Sequence, residues 1–274
     1  MFVHIVVKKN MQNRFVKEIK ISIKNERIKE IEQRLIKKTG INIKYFEIED
    51  QRPEGARVTY LKNNNLVGIE LNLEKYKEMP DLLHELIHGE LWFLEDWPVL
   101  ALTQGISQEE KELANLIVTY ITEDPVVHRK IKNMGFNPIN DIFFTGLNKD
   151  IRYLKKGIKA LDAYDNFGEK VSNFFKICRY ILTDFILKDF DDILDYGKRD
   201  KIKDFFSFFK SRFPDLDSKA KNFLELYNEF DINSKKGCRS ILEKSLTKPE
   251  LSTKNIKIAH YVKKNNHFDL ENLN

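Results

Sequence analysis

The segment Leu82-Leu83-His84-Glu85-Leu86-Ile87-His88-Gly89-Glu90-Leu91-Trp92-Phe93-Leu94 constrains the fold more than any other. Pro80 and Asp81 open it in the manner of a helix start, and nothing breaks the pattern before Trp97-Pro98. Apolar side chains occupy nearly every side of this helix, so it must run through a core rather than lie on one. A buried helix needs layers around it, and the residues before it supply a small sheet. Ile19, Ile21 and Ile23 alternate with Lys20, Ser22 and Lys24, which predicts a strand over 16–23, paired as an edge hairpin with another over 2–8. Asn25 is placed to cap a helix over 26–38, where Ile28, Ile31 and Leu35 recur at helical spacing and Gly40 marks the stop. Strand patterns resume at 41–48, 57–62 and 66–73, with Asn63-Asn64-Asn65 supplying a turn that tolerates left-handed backbone.

The buried helix carries chemistry. Positions four apart on a helix lie one turn above each other, so His84 and His88 present two imidazoles to one point in space. Glu85, about a quarter-turn round, stands beside that point, where it can take a proton from a metal-activated water. These two are among only six histidines in the chain. Core histidines are ordinarily satisfied by hydrogen bonds, but the HExxH spacing on an apolar helix favours a zinc ion held by both.

This segment resembles the active-site helix of the zincin metallopeptidases, preceded as in that family by a small sheet; the likeness is local, over roughly residues 57–128. Leu91 and Leu94 stand where the metzincin branch requires glycine and histidine, so the likeness is to the gluzincin type. The resemblance implies a zinc peptidase in which a glutamate on a following helix supplies the third ligand. Ser107-Gln108-Glu109-Glu110 reads as a capping box that starts such a helix near residue 108. His88 lies about 10 Å before the end of its own helix, so an antiparallel return reaches the metal some seven residues in, nearest Glu112. Glu123 lies on the same stripe three turns later and is the alternative third ligand, with Glu109 and Glu110 following. The run Glu112-Leu113-Ala114-Asn115 also resembles the second helix of the ImmA/IrrE-like zincins, whose metal-binding glutamate shortly precedes Ala-Asn. Here the register departs, because Lys111 occupies the position three before Ala114. The family likeness makes His128 a candidate stabiliser of the transition state, with Tyr120 and Tyr153 behind it; each reads equally as an ordinary surface or helix residue.

Beyond about residue 150 the pattern is almost wholly helical. Phe174, Cys178, Ile181 and Phe185 form one stripe, and Phe205, Phe206, Phe208, Phe209 and Phe213 crowd another. Pro214, Gly237 and Pro249 punctuate these helices, and the Asn-rich tail after about residue 263 reads as frayed. The expectation is therefore an α+β protein: a zincin-like domain over 1–149, comprising small sheet, HExxH helix and return helix, then a helical domain over 150–274.

Composition narrows the function. Hydrophobic residues make up 42% and charged residues 32% of the chain, as in a folded soluble protein. The net charge of +5 is spread along the whole sequence, so no nucleic-acid partner is expected. Cys178 and Cys238 form no CxxC pair, no leader pattern precedes the fold and no uncharged stretch reaches membrane-span length, which predicts a cytoplasmic protein with reduced thiols. The reading is a zinc-dependent metallopeptidase acting on a peptide or protein, with Glu85 as general base. Its alternative is a catalytically inactive regulatory or binding protein built on the same core.

Overall fold

The structure, a computed structural model, describes residues 17–47, 56–73, 81–102, 105–139, 141–157, 168–248, 251, 255–265 and 267–272. The architecture is mixed α+β and divides into two compact units: residues 1–104 together with 255–274, and residues 105–254. The boundary expected at 149/150 falls inside a helix, Asp141–Lys155.

The first unit is built on two small sheets. β1 (Lys17–Ile19), β2 (Asn42–Glu47), β3 (Ala56–Leu61) and β4 (Leu66–Leu71) form one sheet in the order β1-β2-β4-β3. β2 runs parallel to β4, while β1 and β3 are antiparallel to their neighbours. The parallel pair needs a crossover, and Asn65 at φ 44° supplies the turn back from β3. The strand expected over 16–23 is limited to three residues, and its expected hairpin partner at 2–8 lies outside the described residues.

Before β2 comes α1 (Glu26–Thr39). Asn25 caps it by accepting from the backbone N–H groups of Arg27 and Ile28, and Gly40 ends it in left-handed backbone at φ 75°. Ile28, Ile31 and Leu35 are its buried stripe.

After β4 comes the apolar helix α2 (Leu83–Leu94), in which every residue from Leu83 to Phe93 is buried. β5 (Val99–Leu102) follows, then β6 (Ile256–Lys264) and β7 (His267–Asn272) from the far end of the chain; these three make the second sheet, in the order β5-β6-β7. The tail expected to fray is thus a hairpin. Its pattern is hidden by charge, because Ala259, Tyr261 and Phe268 are buried while Lys257, Lys263 and Lys264 are exposed. Tyr261 and Phe268 stack on Phe93 of α2 at 4.8 and 4.9 Å, and Tyr60 joins them, its hydroxyl accepting from the Phe268 N–H at 2.8 Å.

The second unit is helical. α3 (Gln108–Leu116) passes without a break through a π-helical section, Ile117–Glu123, into α4 (Asp124–Asn133). α5 (Asp141–Lys155), α6 (Glu169–Asp189), α7 (Tyr196–Arg212), α8 (Pro214–Glu229) and α9 (Lys235–Leu246) complete it. Of the two expected aromatic stripes, Phe174, Cys178, Ile181 and Phe185 of α6 are buried, as are Phe205 and Phe209 of α7, while Phe206, Phe208 and Phe213 are half-buried. Among the described residues no helix is long and apolar enough to cross a membrane.

Candidate metal centre

α2 places its two histidines as the spacing requires. The Nε2 atoms of His84 and His88 lie 3.0 Å apart, and both side chains are buried, at 5% and 2% exposure. Two imidazole nitrogens this close must share something. Either a proton on one is donated to the other, or both lone pairs converge on a cation. The separation suits two ligands on one tetrahedral ion, and nitrogen donors with a carboxylate match zinc's ordinary protein ligands. Trp92, one turn on, lies 5.6 Å from the His88 ring and walls this side of the pair.

Glu85 is also buried, and its carboxylate is tied to the sheet: Oε2 accepts from the Val58 N–H at 2.8 Å. β3 is an edge strand, so every second amide along it points away from β4 and needs another partner. Val58 finds Glu85. The bond fixes how the carboxylate is turned.

The helix that carries these groups is itself held from behind. A Cβ on Gly89 would sit 2.9 Å from Leu35 Cδ2, so glycine at 89 is what lets α1 close on α2 directly after His88. Next to it, buried Glu90 accepts from Arg34 Nε and Nη2 at 2.7 and 2.6 Å. Two charge-assisted bonds to one carboxylate oxygen fix α2 on α1 without leaving an uncompensated buried charge.

The carboxylates expected to complete the site all lie in the second unit, where their surroundings differ. Ser107 and Glu110 form the capping box: the Ser107 hydroxyl accepts from the Glu110 N–H, and the Glu110 carboxylate accepts from the Ser107 N–H. Glu110 is therefore committed to the start of α3. Glu109 is half-buried. Glu112 is buried with one oxygen accepting from the Gln108 side chain, and its Oε2 is buried without a hydrogen bond. Glu123 and Asp124 are buried at 1% and 3% exposure, and His128 is half-buried in α4. Tyr120 and Tyr153 are likewise half-buried, on the π section and α5.

The π section changes which of these share a face. A turn closed by i→i+5 rather than i→i+4 bonds takes up one more residue. The stripe that leads from Glu112 to Glu123 in an unbroken α-helix is carried on by one position, to Asp124. His84 and His88 are buried side chains that could hold a metal ion. Nothing in Ile117-Val118-Thr119-Tyr120-Ile121-Thr122-Glu123 marks a widened turn in the sequence.

Comparison with protein-family models, with curated proteins and with solved structures finds no match.

Proposed function

We propose that the chain is a zinc-dependent peptide hydrolase of zincin type, with His84 and His88 holding the metal and Glu85 as general base. The observation that carries this reading is the convergence of two buried imidazole nitrogens to 3.0 Å, one residue away from a carboxylate oriented by a strand amide. Zinc held there would supply Lewis acidity, bringing the pKa of a water toward neutrality and polarising a carbonyl. The rest falls to the chain. Glu85 accepts the proton of the attacking water and returns it to the leaving amine, and the Val58 N–H keeps its carboxylate turned for both transfers. The low-dielectric surroundings of α2 strengthen each of these interactions and exclude bulk water from the proton's path. The substrate class is a peptide or protein, as the family likeness implies.

Metal analysis and a hydrolysis assay test the proposal together. Wild-type protein is expected to bind about one equivalent of zinc. His84→Ala and His88→Ala each lose it, and Glu85→Gln keeps it. Against a broad peptide mixture read by mass, wild type cleaves, while Glu85→Gln and a chelated sample do not. Stoichiometric zinc in both histidine variants sinks the site. Zinc-loaded wild type that cleaves nothing over a wide range turns the reading to a regulatory or binding protein on the same core.

A further inference from the structure

Three rings stand in file on α2, and a fourth reaches them from the far end of the chain. Long side chains on a helix lean toward its N-terminus and cover the turn before their own Cα. Residues 84, 88 and 92 are one turn apart, so His88 leans on His84 and Trp92 leans on His88. The ring centres of His84 and His88 are 4.8 Å apart, and those of His88 and Trp92 are 5.6 Å apart with 34° between their planes. Tyr261 of β6 closes the file, 6.2 Å from Trp92. Trp92 is 1% exposed and Tyr261 3%, so neither ring has room to turn aside. All four residues belong to the first unit.

A metal ligand is held to a tighter tolerance than a core side chain, since its lone pair must meet the ion within about 0.5 Å and 10–20°. His88 has two ways to miss. A half-turn about its Cβ–Cγ bond exchanges Nε2 for a ring carbon, and a change of χ1 carries the whole imidazole away from His84. Both movements pass through space that the Trp92 indole fills, because a ring so nearly parallel to the imidazole leaves its edge no clearance. The indole stays in place because Tyr261 lies against it. Phe93, the next residue, is about 100° further round the helix and faces elsewhere. Its ring packs on Tyr60, Tyr261 and Phe268 at 4.9, 4.8 and 4.9 Å.

We infer that Trp92 and Tyr261 are positioning residues for the metal centre: the indole, backed by the tyrosine ring of the closing hairpin, holds His88 in the rotamer that brings its Nε2 within 3.0 Å of His84 Nε2. This deepens the zinc reading above and rests on it. It gives the last two strands of the chain a share in the metal's affinity as well as in the core.

The test measures zinc affinity in the full chain by competition with a chromophoric chelator, and records the visible spectrum of the cobalt-loaded protein, whose bands follow ligand geometry. Trp92→Leu stays apolar but loses the flat face. It is expected to bind zinc about ten-fold more weakly, as for loss of other groups that orient a ligand, and to alter the cobalt bands. Trp92→Phe keeps a ring and is expected to recover most of that loss, while Tyr261→Leu weakens zinc in the same direction by a smaller factor. Phe93→Leu is the control: it removes a buried ring from the same aromatic cluster and should lower stability without changing zinc affinity or the bands. Wild-type affinity and bands in Trp92→Leu overturn this inference and leave the zinc reading standing. An equal loss of affinity in Phe93→Leu also overturns it, since mere loosening of the core would then suffice. Should Trp92→Leu fail to fold, Tyr261→Leu decides, and unchanged zinc affinity there overturns the inference. Zinc that does not depend on His84 and His88 removes the reading itself, and this inference with it.

Discussion

Leu35 and Gly89 meet where the histidine helix is pressed from behind, and the contact sets a trade between propensity and space. Alanine is favoured over glycine in a helix interior by about 1 kcal/mol. A Cβ at 89 would, however, come within 2.9 Å of Leu35 Cδ2, and Leu35 is fully buried, so the methyl has nowhere easy to go. Overpacking of a closed core costs about 1–3 kcal/mol. Gly89→Ala should therefore destabilise the fold by about 1 kcal/mol in chemical denaturation, despite its better propensity, and Leu35→Ala in the same background should recover part of the strain. A stabilised Gly89→Ala would mean that α1 yields freely and does not fix the helix carrying His88. At this scale His84, Glu85 and His88 were legible from sequence because helical periodicity alone places them. The tie from Glu85 to Val58 was not, since it joins a side chain to a backbone amide and leaves no residue-type signal.

Elements with their own punctuation could be read from the sequence; those defined by what lies beside them could not. α1 has both its caps in the sequence, and the Ser107–Glu110 box starts α3 where its residues said it would. Ser107→Ala should cost about 1 kcal/mol, since the Glu110 N–H then loses its acceptor in the first turn. Thermal denaturation measures it, and a variant of unchanged midpoint would show that water caps α3 as well as serine does. The π section is the contrary case. Its residues suit any helix, and side chains that meet carbonyls at its start and within it come from α6 and α8, more than fifty positions away in sequence. For the same reason the helix register past residue 116 was not legible: counting from Glu112 in steps of an α-helix runs one residue short beyond the π section. β6 and β7 were missed because lysines on their outer positions mimic a polar tail, whereas Tyr261 and Phe268 make sense only against Phe93 of α2.

Across the whole molecule, two compact units are interleaved in sequence: the helical unit is inserted between β5 and β6 of one sheet. Residues 105–254 expressed alone should retain helical circular dichroism and a cooperative transition. Residues 1–104 alone should not fold, because β5 then has no strand beside it and α2 loses the aromatic cover of the hairpin. Joining 1–104 directly to 255–274 should restore a cooperative fold, and failure of that fusion would mean that the first unit depends on the second for stability. The order of synthesis gives the split sheet a further consequence. About 150 residues separate β5 from β6, and at cellular elongation rates they take on the order of ten to thirty seconds to emerge. For that interval the most apolar helix of the chain waits at the ribosome without its cover, while the helical unit folds behind it. A nascent chain so arranged invites chaperone binding at residues 82–94 until the closing hairpin arrives.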